Sequence, residues 1–592
     1  MASVLKPVDA VVIGFGWTGS IMAKSLTDAG LSVVALERGP AQDTAPDFEY
    51  PRIIDELKYA VRGEKFQPLA KETVTVRHDI GDVAAPYRRY GSFIFGNGVG
   101  GAGVHWSGQI WRASPEDLRL RSHLEKRYGK QFIPADMTIQ DYPVSYEELE
   151  PHFDHFEKVC GISGVAGNLR GKIQAGGNPF EGPRSDDYPA KPLPPVYSAQ
   201  LFEKATLSLG YKPFPMPAAN SSGPYTNPYG VRQGPCNMCG FCEFFGCFLY
   251  SKASPQTTIL PILVNRPNFE LRTNAYVTRI LLDASGKRAI GVRYVDREGR
   301  EVDQPADLVV LSAFQMHNVR LLLLSGIGTP YDPKSGRGVV GKNYAYQMST
   351  SSAAFFDEDV QINPFIGAGA AGQRAIDEFN SDHFDHAKHG FIGGSLIVTD
   401  ATGGRPIGQM WVPPDSPRWG SGWKEAVRKH YLHTATFNSL GSVMSYRDRY
   451  LDLDPTYKDS HGLPLLRLTF DWHDNEYKVA AFAVARVQEI IRVMNPRSQF
   501  SLLMKPGEKY DTRFYQSTHT TGGAIIGSSP ANSVINRYSQ SWDVPNLFVL
   551  GASAFPQNIG YNPTGLVAAL AYFSAAKIKD TYIKSPGALV QA

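Results

Sequence analysis

The sequence predicts an α/β protein: a nucleotide-binding domain assembled from separated pieces of chain, with the intervening segments forming a second domain. Three observations carry this. A strand, a glycine-rich turn, a helix and a second strand follow one another from Val8 to Glu37, the pattern of a parallel unit with a right-handed connection. Short alternating strands begin at Phe269, and the last stretch of chain returns to strand and helix (LFVLGAS, TGLVAALAYFSAAKI). At 592 residues the chain exceeds what one core accommodates. Its 57 Gly and 42 Pro suit turns and close backbone approaches better than a helix bundle or coiled coil.

Each element has a local reason. Val8 to Ile13 (VDAVVI) is a β-branched run that ends directly at Gly14-Phe-Gly16-Trp-Thr-Gly19. The next pattern places Ile21, Met22 and Leu26 on one helix face and stops at Ala29-Gly30. Leu31 to Leu36 is the following strand, closed by Glu37. The runs FELRT, AYVTRILL and AIGVRYV, separated by DASGKR and DREGRE, read as hairpins of one meander. It leads to a buried strand, Asp307 to Ser312, and a Leu-rich helix through LLLLSGIG. Pro-rich stretches (PAKPLPPVY, PFPMPAANSSGPYTNPYG) predict surface connections before the meander. A helix from Glu476 to Met494 is stopped by Asn495-Pro496.

Composition excludes several classes. Lys and Arg (60) nearly balance Asp and Glu (57), for a net charge of +3 without a basic run, so no nucleic-acid partner is expected. The apolar stretch Leu566 to Ala576 falls short of the roughly 20 residues that span a bilayer. MASVLKP runs straight into the first strand, so neither a transmembrane helix nor a signal peptide is expected, which alone points to cytoplasm. Five cysteines, four of them between Cys236 and Cys247, are out of character with that picture.

Gly14, Gly16 and Gly19 permit a tight turn and bring backbone N–H groups to a pyrophosphate at the helix N-terminus. Glu37, 21 residues beyond Gly16, is placed to accept from both ribose hydroxyls, and a carboxylate there argues against a 2′-phosphate. The meander and the distant C-terminal strand and helix are what an FAD domain adds to the shared core. FAD is therefore the expected dinucleotide.

Further motifs run to the C-terminus: GVGGAGVHW at residues 98–106, HTTGGAIIG from His519 and GYNPTG from Gly560. On these the chain resembles the glucose-methanol-choline (GMC) oxidoreductase family, in family order from residue 10 to about 577. The resemblance implies an α/β FAD-binding Rossmann-like domain plus an α+β substrate domain with an antiparallel sheet. The FAD-binding domain would comprise residues 1–115, 230–340 and 512–592, including a cysteine loop at 232–250, and the substrate domain with its connecting segments residues 116–229 and 341–511. It implies cofactor contacts at Gly14, Gly16, Gly19, Glu37, Arg38, Val99, Gly100, Gly101, His105, Val277, Gly551, Ala552 and Thr564. His519 matches the family's catalytic histidine and Asn562 its partner. Oxidising an alcohol moves a hydride to the flavin while the hydroxyl proton needs a base, and imidazole suits that task. An amide holds the substrate oxygen without competing for the proton. His105 matches the histidine that pyranose oxidases bond covalently to the flavin; a noncovalent contact or a buried hydrogen-bonded histidine are the alternatives. Where the family shows AGA followed by Ser-Pro, this chain departs, with Ala313-Phe-Gln-Met-His-Asn-Val.

Cys236, Cys239, Cys242 and Cys247 share one Gly-containing loop, an arrangement in which thiolates hold an iron-sulfur cluster of the 3Fe-4S or 4Fe-4S type. Their spacing departs from the bacterial ferredoxin run before the fourth cysteine, so structural zinc, disulfides and plain buried thiols remain alternatives. Cys160 reads as a buried small residue. The set resembles that of the flavoprotein subunits of membrane-associated glucose and gluconate dehydrogenases. This implies oxidation of the C2 hydroxyl of D-gluconate to 2-dehydro-D-gluconate, with electrons passing through the cluster to a cytochrome c subunit and on to quinone. It further implies a small partner subunit carrying a twin-Arg export signal, and a place at the periplasmic face of the bacterial inner membrane. Arg112 is the candidate cation for the substrate carboxylate. Glucose, sorbitol or a ketogluconate are alternative substrates, a sugar oxidase is an alternative reaction, and a noncatalytic flavin and iron-sulfur electron-transfer or assembly protein is the alternative of another class.

Overall fold

The computed structural model describes residues 2–48, 65–70, 72–89, 92–401, 411–512 and 517–591. The strand Val8–Ile13 pairs in parallel with Val33–Leu36 on one side and with the second half of Glu301–Leu311 on the other, and Leu547–Val549 lies beyond that. One face packs on helix Trp17–Asp28 and the other clusters with Val277, Ile280, Ala289 and Val292 of the antiparallel strands, which is why Ala10–Ile13, Val33–Leu36 and Leu308–Leu311 are apolar without alternation and buried throughout. Helix Trp17–Asp28 buries Ile21, Met22 and Leu26 against the sheet, beside the Ala- and Leu-rich helix Thr564–Lys577.

One strand differs from expectation. Phe269–Arg272 was expected within the meander, but it forms the edge of the parallel sheet beside Val33–Leu36. Asn274, in the left-handed region (φ 54°), turns the chain under Glu37, whose carbonyl accepts the N–H of Ala275 at 2.9 Å. The antiparallel meander therefore consists of Tyr276–Leu282, Ala289–Val295 and the first half of Glu301–Leu311. That last strand serves both parts of a single eight-stranded sheet.

A second sheet has six antiparallel strands: Phe214–Pro215, Met348–Phe355, Arg374–Ile376, Ser395–Asp400, Thr434–Gly441 and Ser498–Ser501. Helix Asp474–Met494 lays Val484, Val487, Ile490 and Ile491 toward it and ends at Asn495 (φ 56°), one residue before Pro496. A four-stranded sheet joins Thr75–Arg77 and Ala85–Pro86 to Tyr450–Lys458 and Pro464–Thr469. Among the described residues no helix is long and apolar enough to cross a membrane.

Two glycines fix how the first helix meets the sheet. Gly14 has φ +88°, and a Cβ there would stand 2.6 Å from the Ser312 carbonyl oxygen. A Cβ on Gly19 would stand 2.0 Å from the carbonyl oxygen of Gly14 itself. Gly19→Ala is therefore expected to cost about 2–3 kcal/mol by overpacking and to lower the flavin-to-protein absorbance ratio. Thermal unfolding at the parent temperature with full flavin content would contradict the crossing.

Candidate active site

At the C-terminal ends of the parallel strands lies a cavity whose floor is the Gly14–Thr18 turn and whose far wall is Ser312, Ala313 and Leu550–Ala552, the place where open α/β sheets bind dinucleotides. Of the residues expected to touch the cofactor, Gly14, Gly16, Glu37, Arg38, Gly101, Val277, Gly551, Ala552 and Thr564 line it. Gly19 packs behind the turn, and Val99 and Gly100 brace the loop, Gly100 N–H donating to Phe15 O at 2.8 Å. Burial raises the Glu37 carboxyl, and it accepts from Phe15 N–H (3.0 Å) and Gly39 N–H (2.8 Å). The residues fit FAD: a glycine-rich turn at a helix N-terminus lies beside a carboxylate that Phe15 N–H holds in place. Gln315 and His317 of the divergent Ala313–Val319 stretch also line it, and burial beside Arg38 and Arg320 drives His317 well below its usual value.

A second chamber adjoins the first, and Trp17, Ala102, Gly103, Thr518 and Thr564 line both. His105, His519 and Asn562 face this chamber together with Ser107, Gln109, Asp400 and Asn438, a lining rich in hydrogen-bonding groups and suited to a hydroxylated substrate. His105 closes the four-residue helix Ala102–His105, buried, with its ring edge-on to Phe66 (4.8 Å, 76°).

The His519–Asn562 pair is aimed by groups behind it. Gln347 donates its amide N–H to the carbonyls of Ile559 (3.0 Å) and Tyr561 (3.1 Å), so its oxygen must face His519 Nδ1, 2.6 Å away. That oxygen can only accept, which puts the proton on Nδ1 and leaves Nε2 as the basic nitrogen. Trp111 Nε1–H donates to Asn562 Oδ1 at 2.9 Å, which turns the Asn562 amide nitrogen toward His519 Nε2 at 3.3 Å. Trp111 is itself stacked on Tyr561 (5.8 Å, 23°), whose hydroxyl donates to the buried Asp377. Burial pushes the His519 pKa down to about 3, so the imidazole is neutral at ordinary pH. Neither Gln347, in NYAYQMS, nor Trp111 carries a spacing signal that sequence reasoning registers.

Arg112, expected near the substrate, lies elsewhere. Its buried guanidinium is bidentate on Glu157 (2.9 and 2.8 Å) and reaches Glu150 at 2.8 Å, with Arg184 on the other side of Glu157. Held by two carboxylates, it is not among the residues that line either cavity.

The cysteine loop abuts the flavin loop: Phe244 N–H donates to His105 O at 2.8 Å. None of the five cysteines is disulfide-bonded, and Cys160 is buried in its helix. Three sulfurs of the loop receive N–H donors. Met238 N donates to Cys236 (3.3 Å), Lys252 N to Cys247 (3.4 Å), and the Asn220 amide to Cys242 (3.4 Å) and Cys236 (3.9 Å). Burial pushes the Cys236 thiol up to about 11 and the Cys242 thiol higher still. Among the described residues no three His, Cys, Asp or Glu side chains converge as on a single metal ion.

Family models for GMC oxidoreductases match residues 215–349 and 447–571. The chain belongs to this family, and it is an FAD-dependent oxidoreductase acting on CH–OH groups. It is 56% identical to the gluconate 2-dehydrogenase flavoprotein of Pantoea cypripedii, across 100% of this chain and 97% of the relative. The 2-methyl-1,2-propanediol dehydrogenase of Mycolicibacterium austroafricanum is 26% identical (96% and 95% covered), and the fructose dehydrogenase large subunit of Gluconobacter japonicus 24% (98% and 99%). The crystal structure of pyridoxine 4-oxidase from Mesorbium loti shares the fold at TM-score 0.57 and 15% identity, covering 96% of this chain and 98% of that one.

The amide-fixed tautomer has a kinetic signature. With His519 neutral down to about pH 3, substrate reduction of the flavin should show no loss on acidification near the ordinary histidine value of about 6.5. Gln347→Glu places a carboxylate on Nδ1–H, stabilises the imidazolium and raises that pKa, so an acid limb should rise into the measurable range. Gln347→Leu should slow flavin reduction by about 100-fold without releasing FAD. Stopped-flow reduction across pH checks all three.

Proposed function

We propose that this chain is the flavoprotein subunit of a gluconate 2-dehydrogenase, oxidising the C2 hydroxyl of D-gluconate to 2-dehydro-D-gluconate. The observation that carries the reading is the His519–Asn562 pair held 3.3 Å apart on the chamber wall. The full-length 56% identity to the Pantoea flavoprotein supplies the substrate class. His519 Nε2 takes the hydroxyl proton. Asn562, its oxygen already committed to Trp111, donates its amide N–H to the substrate oxygen and steadies the alkoxide character that develops there. FAD, held by the Gly14–Thr18 turn, Glu37 and the Gly551–Ala552 wall, supplies the acceptor for the hydride from C2. The contacts named for the cofactor, including a link through His105, belong to this proposal.

His519→Ala should lower flavin reduction by gluconate at least about 100-fold while FAD stays bound, measured by anaerobic stopped flow. Reduction at the parent rate would reject the assignment. A second reading has its own support: among the described residues lining the chamber the charged side chains are Glu243 and Asp400, with no Lys or Arg, which favours a neutral polyol over an acid. Anaerobic titration with gluconate, glucose, sorbitol, fructose and a ketogluconate decides between them. Gluconate bleaching the flavin at the lowest concentration supports the first reading, and a neutral polyol doing so supports the second.

Electrons leave, on this proposal, through an iron-sulfur cluster held by Cys236, Cys239, Cys242 and Cys247. The N–H donors at three of those sulfurs and the hydrogen bond from the cysteine loop to His105 O support it. The cluster supplies a one-electron relay toward a cytochrome c subunit and quinone, with a small subunit carrying the export signal to the periplasmic face. Purified protein should contain iron and acid-labile sulfide, and Cys242→Ser should lose iron while gluconate still reduces the flavin within about twofold. Iron-free wild type would reject the relay.

A further inference from the structure

Lys252 is a fully buried lysine that the hydride and proton chemistry does not use. Its Nζ donates to three backbone carbonyls: Cys242 O (2.6 Å) and Phe245 O (2.7 Å) of the cysteine loop, and Trp106 O (2.8 Å), next to His105 in the flavin loop. Its own backbone N–H points at Cys247 Sγ (3.4 Å), and Lys252 pairs with Asn220, whose amide serves Cys236 and Cys242. Three carbonyls replace the water of an ammonium but do not balance its charge, and a buried cation without an anion is costly. Burial lowers the Lys252 pKa, and the neighbouring thiols of Cys242, Cys247 and Cys239 counter that shift. A buried ammonium that faces thiols fits a site whose charge becomes negative once sulfur binds its ligand.

We propose that Lys252 is a positioning residue with two tasks: it joins the cysteine loop to the flavin loop, and it supplies the counter-charge that assembles the sulfur-held group and sets its potential. This rests on the reading that the four thiols hold an iron-sulfur cluster. Adding an electron makes the cluster more negative, so a nearby fixed positive charge favours the reduced form. Removing that charge must lower the cluster's midpoint potential, with a smaller effect on the more distant acceptor cavity.

Two variants of the full-length holoprotein separate charge from shape. Lys252→Gln keeps an N–H donor for the carbonyls without the charge; Lys252→Arg keeps the charge and alters the fit. Iron and sulfide are assayed, FAD content is read from the visible spectrum, and the midpoint is measured by redox titration followed by electron paramagnetic resonance. The expected result is FAD retained in both variants, with Lys252→Gln showing either a lower cluster midpoint or at least a twofold loss of iron, and Lys252→Arg remaining near the parent. Equal midpoints and equal iron in parent and Lys252→Gln overturn the proposal, as does equal iron loss in both variants, which would make the role one of packing. Wild type without iron and sulfide overturns this proposal together with the cluster reading, whereas iron present with an unmoved midpoint and unmoved iron content overturns this one alone.

Discussion

The close approach of Gly14 to Ser312 is the contact on which the rest of the molecule hangs. Ser312 N–H donates to Ile13 O at 2.9 Å and Leu550 N–H to Leu311 O at 2.9 Å, so three strand ends from distant parts of the chain finish side by side. With a side chain at position 14 the strand end carrying Ser312 could not come in, and the cavity would lose its floor and a wall at once. The discontinuous nucleotide domain follows from this requirement. Segments some three hundred and five hundred residues from the first strand must return to the same line to complete one binding site.

The reactive end of the site is governed by direction more than by distance. An amide side chain has a donor end and an acceptor end, and each can be reversed at little cost unless a second partner forbids it. Here both amides have such a partner: two carbonyls orient Gln347, and one indole orients Asn562. The histidine between them therefore has one tautomer. Its low proton affinity arises from burial.

Much of this was legible in the sequence, and the reasons differ from element to element. The first strand, helix and second strand were readable because composition, glycine spacing and the closing acid agree locally. His519 and Asn562 were readable only by resemblance, since a histidine in a Ser/Thr-rich loop has no periodicity of its own. Phe269–Arg272 lies outside the meander because alternation cannot distinguish a hairpin partner from the edge of a parallel sheet; the deciding fact is its parallel register with Val33–Leu36. Arg112 was placed near substrate on sequence proximity to the flavin loop, while in three dimensions Glu157 and Glu150 claim it. Gln347, Trp111 and Lys252 were invisible because their roles lie in which neighbour each side chain points at, and no local pattern records that.

The wall shared by the two cavities, formed by Trp17, Ala102, Gly103, Thr518 and Thr564, ties the two occupants together thermodynamically. A group that fills the first cavity becomes part of the surface that the second presents, so substrate affinity is a property of the loaded protein. Linkage is reciprocal: whatever the cofactor adds to substrate binding, substrate returns to cofactor retention. A cofactor held there without a covalent bond would be retained more firmly with substrate present than without it.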